Sequence, residues 1–125
     1  MSKMSNQQIL SIGDDLIVTA KDLFPQHAEI DSRYDFDRLA FVCTIHWKLN
    51  NDDSRPNKTS RIILIVIPRE VLEDTHYERR KQIVRERFKR YLEKKTPLFN
   101  PDHNELYGNP PPVEEWLVVN NLLNQ

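Results

Sequence analysis

Residues 62–67 read Ile-Ile-Leu-Ile-Val-Ile, an uninterrupted aliphatic run in which five of the six side chains are β-branched. Such a run has no polar face, so it predicts a strand covered on both sides. Pro68 ends it, because proline offers no N–H to a ladder. The rest of the chain must therefore supply neighbouring strands and a layer to lie over them.

Two neighbours are legible upstream. From Ala28 to Asp37 the chain alternates, with Ala28, Ile30, Ser32, Tyr34 and Phe36 on one side and mostly charged residues on the other. Period two is the mark of a strand with one wet face. Leu39, Phe41, Cys43, Ile45, Trp47 and Leu49 then form one face of a second strand, with Ala40, Val42, Thr44 and His46 opposite. A polar stretch over 50–60 connects it to the aliphatic run.

Helices bracket these strands. Ile9, Ile12, Leu16, Ala20 and Leu23 recur at steps of three and four, which predicts a helix from about Ser5 to Phe24. Ser5 and Gln8 fit a capping box, Pro25 marks the stop, and Gly13 is a possible break. After Pro68 the stretch PREVLED reads as a separate turn of helix, and Thr75 with Glu78 suggests a second capping box before a helix reaching Lys95. On that helix Tyr77, Val84, Phe88, Tyr91 and Leu92 share one apolar arc.

Residues 96–112 hold five of the eight prolines and form a connection, with Pro110-Pro111-Pro112 read as a stiff spacer rather than a polyproline ligand. Val113 to Val119 reads as a fourth strand, with a short helix as its competitor. Residues 1–4 are expected to be a flexible start and 120–125 a tail. The expected fold is thus one α+β domain over 1–125, α-β-β-β-α followed by a proline-rich crossing and a fourth strand. Its sheet is expected to be antiparallel, with both helices on one face. The α-β-β-β-α order is similar to that of double-stranded RNA-binding domains, but their lysine-rich motif at the start of the last helix is absent, so the likeness is one of topology.

Composition narrows the function. Gly13 and Gly108 are the only glycines, so no clustered-glycine loop can cradle a phosphate, which disfavours P-loop and Rossmann enzymes. Cys43 is the only cysteine, which rules out an internal disulfide and a multi-cysteine zinc site. Its place among apolar side chains predicts a protonated, inert thiol. The longest aliphatic run falls far short of a membrane span, and the start lacks the apolar core of a secretory signal, so a cytoplasmic protein without membrane contact is expected.

Four histidines, His27, His46, His76 and His103, fall on four different segments, and Cys43 and His46 lie on opposite faces of one strand. Asp102-His103-Asn104-Glu105 reads as a hydrated turn. The acid pairs Asp14-Asp15, Asp35 with Asp37 and Glu114-Glu115 read as caps, strand-edge solubilisers or turn residues. No catalytic constellation, metal site or cofactor is expected.

The sharpest signal is charge. Residues 79–95 carry nine bases and two acids, a local net of +7, while the whole chain sums to -1, leaving -8 elsewhere. Arg79, Arg80, Arg87, Arg90 and Lys94 fall along one flank of the apolar arc. Such a stripe can neutralise successive phosphates and release their counterions. It predicts contact with nucleic acid or another polyanion, or with an acidic protein surface. Against this stand the ordinary charged face of an exposed helix, pairing of Glu86 with Arg90 one turn on, and cover by Asp31, Asp35 and Asp37 of the first strand or by the acidic tail. The alternative function is a protein-interaction or homo-oligomeric module using the sheet face around Ala40, Val42, Thr44 and His46, or the proline-rich segment.

Overall fold

A computed structural model describes residues 4–49, 59–102 and 112–123. Among them the order is α1 (Asn6–Thr19), β1 (Glu29–Asp35), β2 (Ala40–His46), β3 (Ile62–Pro68), α2 (Arg69–Asp74), α3 (Tyr77–Lys95), β4 (Val113–Leu117) and α4 (Asn120–Leu123). Short 3-10 turns occupy Lys21–Leu23 and Thr96–Leu98. The architecture is α+β. The strands lie side by side in the order β1-β2-β3-β4, which puts the aliphatic run in the interior of the sheet.

The sheet is mixed, which corrects the expectation of a wholly antiparallel one. β1 with β2 and β2 with β3 are antiparallel, but β3 and β4 run parallel, with Ile62 opposite Val113 and Val66 opposite Leu117. The crossover is the cause. The chain leaves β3 at one end of the sheet, and α3, nineteen residues with a kink at Arg80, carries it back once. The chain re-enters where β3 began, as the hydrogen bond from the Ile62 N–H to the Pro112 carbonyl records. One return passage fixes a parallel direction.

The main core lies between the sheet and the helices. Phe41, Cys43, Ile45, Ile63, Ile65, Ile67 and Trp116 meet Ile9, Ile12, Leu16 and Ile17 of α1 and Val84, Phe88 and Leu92 of α3. Gly13 does not break α1, which is continuous and closed at its start by the Ser5–Gln8 capping box. Gly13 is instead the point of closest approach: a Cβ there would lie 2.2 Å from Cδ2 and 2.4 Å from Cγ of Phe41.

The opposite sheet face carries Ala40, Val42 and Val66 with Leu64 beside them, and no described helix contributes to that cluster. Cover over the aliphatic run is therefore uneven. Ile63, Ile65 and Ile67 are fully enclosed, while Ile62 and Leu64 are only half-buried. Val66 and Val42 are shielded by their own row, which runs Arg33, Val42, Val66, Leu117 across the four strands.

Two further expectations change. PREVLED is a separate helix, α2, but the second capping box does not form: Thr75 is buried and its hydroxyl donates to the Leu72 carbonyl at 2.6 Å. The cap of α3 is His76, in the left-handed region at φ 52 without a side-chain cap bond, a conformation uncommon outside glycine. At the other end, residues 120–123 are not a tail but α4, whose Leu123 is enclosed in the main core. A single turn of helix is too short to show a periodicity.

Candidate functional site

α3 turns Tyr77, Val84, Phe88 and Leu92 inward, which assigns its charged residues to two flanks. One flank faces α1, whose Asp15 takes two hydrogen bonds from Arg85, from Nε at 2.9 Å and from Nη2 at 2.6 Å. Beyond α1, Asp22 holds Lys89 at 3.2 Å, and within α3 Glu78 holds Lys81 at 3.4 Å. Lys95 lies over the Tyr91 ring at 5.7 Å. These four bases are engaged.

The other five are Arg79, Arg80, Arg87, Arg90 and Lys94, and among the described residues none of them has an ion-pair partner. The expected Glu86–Arg90 pair is absent among those contacts. The acids of the first strand do not reach the stripe either: Asp35 accepts from the N–H groups of Asp37 and Arg38 and lies 3.7 Å from Arg33. The asymmetry follows from layout. α1 and the turn after it bring Asp15 and Asp22 to one side of α3, while α4, which also packs on α3, is Asn-Asn-Leu-Leu and has no carboxylate. Exposed Ile83 lies one turn before Arg87, while Arg80, at φ -130 and ψ 24, interrupts the helix between Arg79 and this pair. The Nε of Arg87 is buried without a hydrogen-bond partner.

The α1 flank is a structural clamp. Tyr77 donates its hydroxyl to the same Asp15 oxygen that Arg85 grips. Burial pushes the Asp15 carboxyl up, but the hydrogen bonds of Tyr77 and Arg85 and the charges of Arg85 and Lys81 together outweigh it and hold it below its ordinary 3.8. Burial, then the Asp15 bond, pushes the Tyr77 phenol up to about 12, so it remains a donor through neutral pH. A carboxyl with a lowered folded-state pKa contributes stability above its unfolded value and loses it as pH falls through the folded one. Asp15→Asn is accordingly expected to lower the melting temperature at neutral pH. The pair is more than a third exposed on the Arg85 side, so the loss is small. The gap to the parent protein should close as pH falls below about 4, and melting curves across pH check this.

The remaining candidates have structural partners. Cys43 is fully enclosed and burial pushes its thiol up to about 11. His46 lies 3.4 Å from Glu29 on the helix-free face, and the His27 ring contacts the Lys48 carbonyl. Glu114 takes the Trp116 indole N–H at 2.7 Å and Arg61 at 3.2 Å, and Glu115 takes Arg38 at 2.6 Å. Among the described residues no three His, Cys, Asp or Glu side chains converge as a metal site. His103, Asn104, Glu105, Pro110 and Pro111 lie outside the described residues.

One feature had no sequence signal. Phe99 stands edge-on to both Trp47 and Trp116, each at 5.9 Å, with the Arg61 guanidinium over its ring. Beside it is a cleft of about 230 Å³ walled by Leu23, Phe24, Pro25, Trp47 and Pro101. Its aromatic residues come from separate segments with no shared period. Among the described residues no helix is long and apolar enough to cross a membrane. Compared with known proteins, the chain matches no family model, no curated protein and no solved structure.

Proposed function

We propose that the chain is a small, non-catalytic cytoplasmic binding domain that contacts nucleic acid or another polyanion through Arg79, Arg80, Arg87, Arg90 and Lys94. One observation carries the reading: the other four bases of α3 are engaged within the fold, whereas these five have no anionic partner among the described residues. Phosphate contact of this type gives affinity without sequence preference.

The test is duplex DNA binding followed by fluorescence anisotropy across salt. Five phosphate contacts predict that log affinity falls with log salt at a slope of about -4 to -5, and Arg87→Ala with Arg90→Ala should flatten it by about 2. No binding at low salt, or a slope unmoved by the double substitution, overturns the proposal. A second reading, protein interaction through the helix-free sheet face, is supported by exposed Val113 and Leu117 bordering the cluster of Ala40, Val42, Leu64 and Val66. Leu117→Lys would then weaken a partner contact while leaving the salt slope intact.

A further inference from the structure

β1 is an edge strand: β2 is its one neighbour among the described residues. A seven-residue edge exposes a row of unpaired N–H and C=O groups, which a protein must blunt or pair. The charges of β1 do not simply blunt it. They are self-complementary.

Ser32 is the midpoint of Glu29–Asp35. When two copies of this strand pair antiparallel in full overlap about a two-fold axis normal to the sheet, Ser32 meets Ser32 of the second copy. Asp31 then meets Arg33 and Ile30 meets Tyr34, each twice. The symmetry keeps each face on its own side, so allowed slips come in steps of two. Moving the centre to Arg33 sets Arg33 against Arg33, and moving it to Asp31 sets Asp31 against Asp31. Opposite charges directly across an antiparallel pair stabilise it and like charges oppose it. The outermost pair in full overlap, Glu29 with Asp35, joins two acids and offsets part of this gain; His46 lies 3.4 Å from Glu29, and Arg33, 3.7 Å from Asp35, would be shared between that carboxylate and Asp31 of the second copy.

A second observation falls into the same register. Phe36 is 71% exposed and packs edge-on against Tyr34 at 5.1 Å, which sets it on the helix side of the sheet. Phe36 begins the turn one residue beyond β1 and Ala28 lies one residue before it, so full overlap brings Phe36 of one copy to the same end of the paired strands as Ala28 of the other. Ala28 and Ile30 line an open groove together with Phe24, Pro25 and Val18, the last 68% exposed. An exposed aromatic and the apolar wall of a groove that also carries Lys21, Asp22 and Lys89 are thus brought together by the pairing that the charges select.

We propose that the chain forms a two-fold dimer by pairing β1 with β1 of a second copy, joining two four-stranded sheets into one, with Phe36 of each copy seated in the groove of the other. The groove includes Lys89 of α3 and none of the five stripe residues, so this contact does not need polyanion binding.

Sedimentation of the full chain over a range of concentrations tests it, the expected species being a dimer of the 14.9 kDa chain. Arg33→Asp should weaken dimerisation at least tenfold by setting acid against acid, and Asp31→Arg combined with Arg33→Asp should restore it. Phe36→Ser should weaken it without affecting the charge pairs. The Arg33 side chain is 62% exposed, so its substitution leaves the monomer folded, which circular dichroism verifies. A parent protein that stays monomeric at every concentration overturns the proposal. So does an Arg33→Asp dimer of undiminished affinity, which would place self-association on another surface such as the helix-free sheet face.

Discussion

Gly13→Ala is expected to destabilise the protein by about 2 kcal/mol or more, although alanine for glycine in an unconstrained helix stabilises by about 1 kcal/mol. The two effects have opposite signs, and geometry decides between them. The added Cβ would stand 2.2 to 2.5 Å from three atoms of the Phe41 ring, one of them Cγ, the atom nearest the backbone. A ring cannot swing its own root away. Phe41 is fully enclosed, so relief must come from α1 retreating from β2 by about 1 Å, which opens van der Waals contacts along Ile9, Ile12 and Leu16. Urea denaturation measures the loss. The double variant Gly13→Ala with Phe41→Ala should cost less than the sum of the two single changes, since alanine at 41 has neither the Cγ nor the ring atoms that the added Cβ would meet. A stabilised Gly13→Ala protein would mean that α1 does not approach the sheet this closely.

The glycine illustrates how far periodicity carries a reading of the fold. The apolar periods of α1, β1, β2, β3 and α3 were legible because each is long enough to repeat; Ile9, Ile12, Leu16, Phe41, Cys43, Ile45, Val84, Phe88 and Leu92 are enclosed in the core, while Ala28, Ile30 and Tyr34 only border it and Phe36 and Leu39 stand exposed. Direction was not legible in the same way. The parallel pairing of β4 depends on how many times the chain traverses the sheet between Pro68 and Val113. The sign was nevertheless present, because one long helix between two strands is a crossover and a crossover joins parallel strands. Gly13 reads as a weakness when only helix propensity is weighed and as a requirement once the facing ring is known. α4 and the His76 cap escaped for want of length: one turn of helix and one left-handed residue leave no pattern to repeat.

The charged face divides similarly. That nine bases crowd α3 was plain from the residues, and the wheel set Arg79, Arg80, Arg87, Arg90 and Lys94 along one flank of the apolar arc with Glu78, Gln82, Glu86 and Glu93 towards the other side. Which flank would be answered by carboxylates depends on where α1 lies, a tertiary matter. Asp15 and Asp22 belong to a segment more than 60 residues upstream of their partners, Arg85 and Lys89. Coulomb attraction between exposed charges falls off over roughly 10 Å at ordinary salt, so proximity in the fold, not total charge, selects the bases that stay unpaired.

Trp116→Ala should be the most damaging single truncation of β4, at about 3 to 5 kcal/mol. The strand is five residues long, lies at an edge, and leaves Val113 and Leu117 exposed, so within β4 Trp116 alone among the apolar side chains anchors it in the core. Its indole N–H donates to Glu114 and its ring stands against Phe99, whose other neighbours are Trp47 and the Arg61 guanidinium. Alanine removes the ring, leaves a cavity under the crossover, and strips one donor from Glu114, which retains Arg61 at 3.2 Å. Trp116→Phe keeps a ring against Phe99 and gives up the N–H, so its cost should be nearer 1 to 2 kcal/mol, about that of one hydrogen bond to a charged group plus a modest loss of volume. The ordering alanine, then phenylalanine, then parent in urea midpoint is the expected result. An alanine variant within about 1 kcal/mol of the parent would mean that the parallel strand is not held by this side chain. Because α3 packs on the sheet through Val84, Phe88 and Leu92 independently of Trp116, the alanine variant should keep its salt-dependent binding wherever it remains folded.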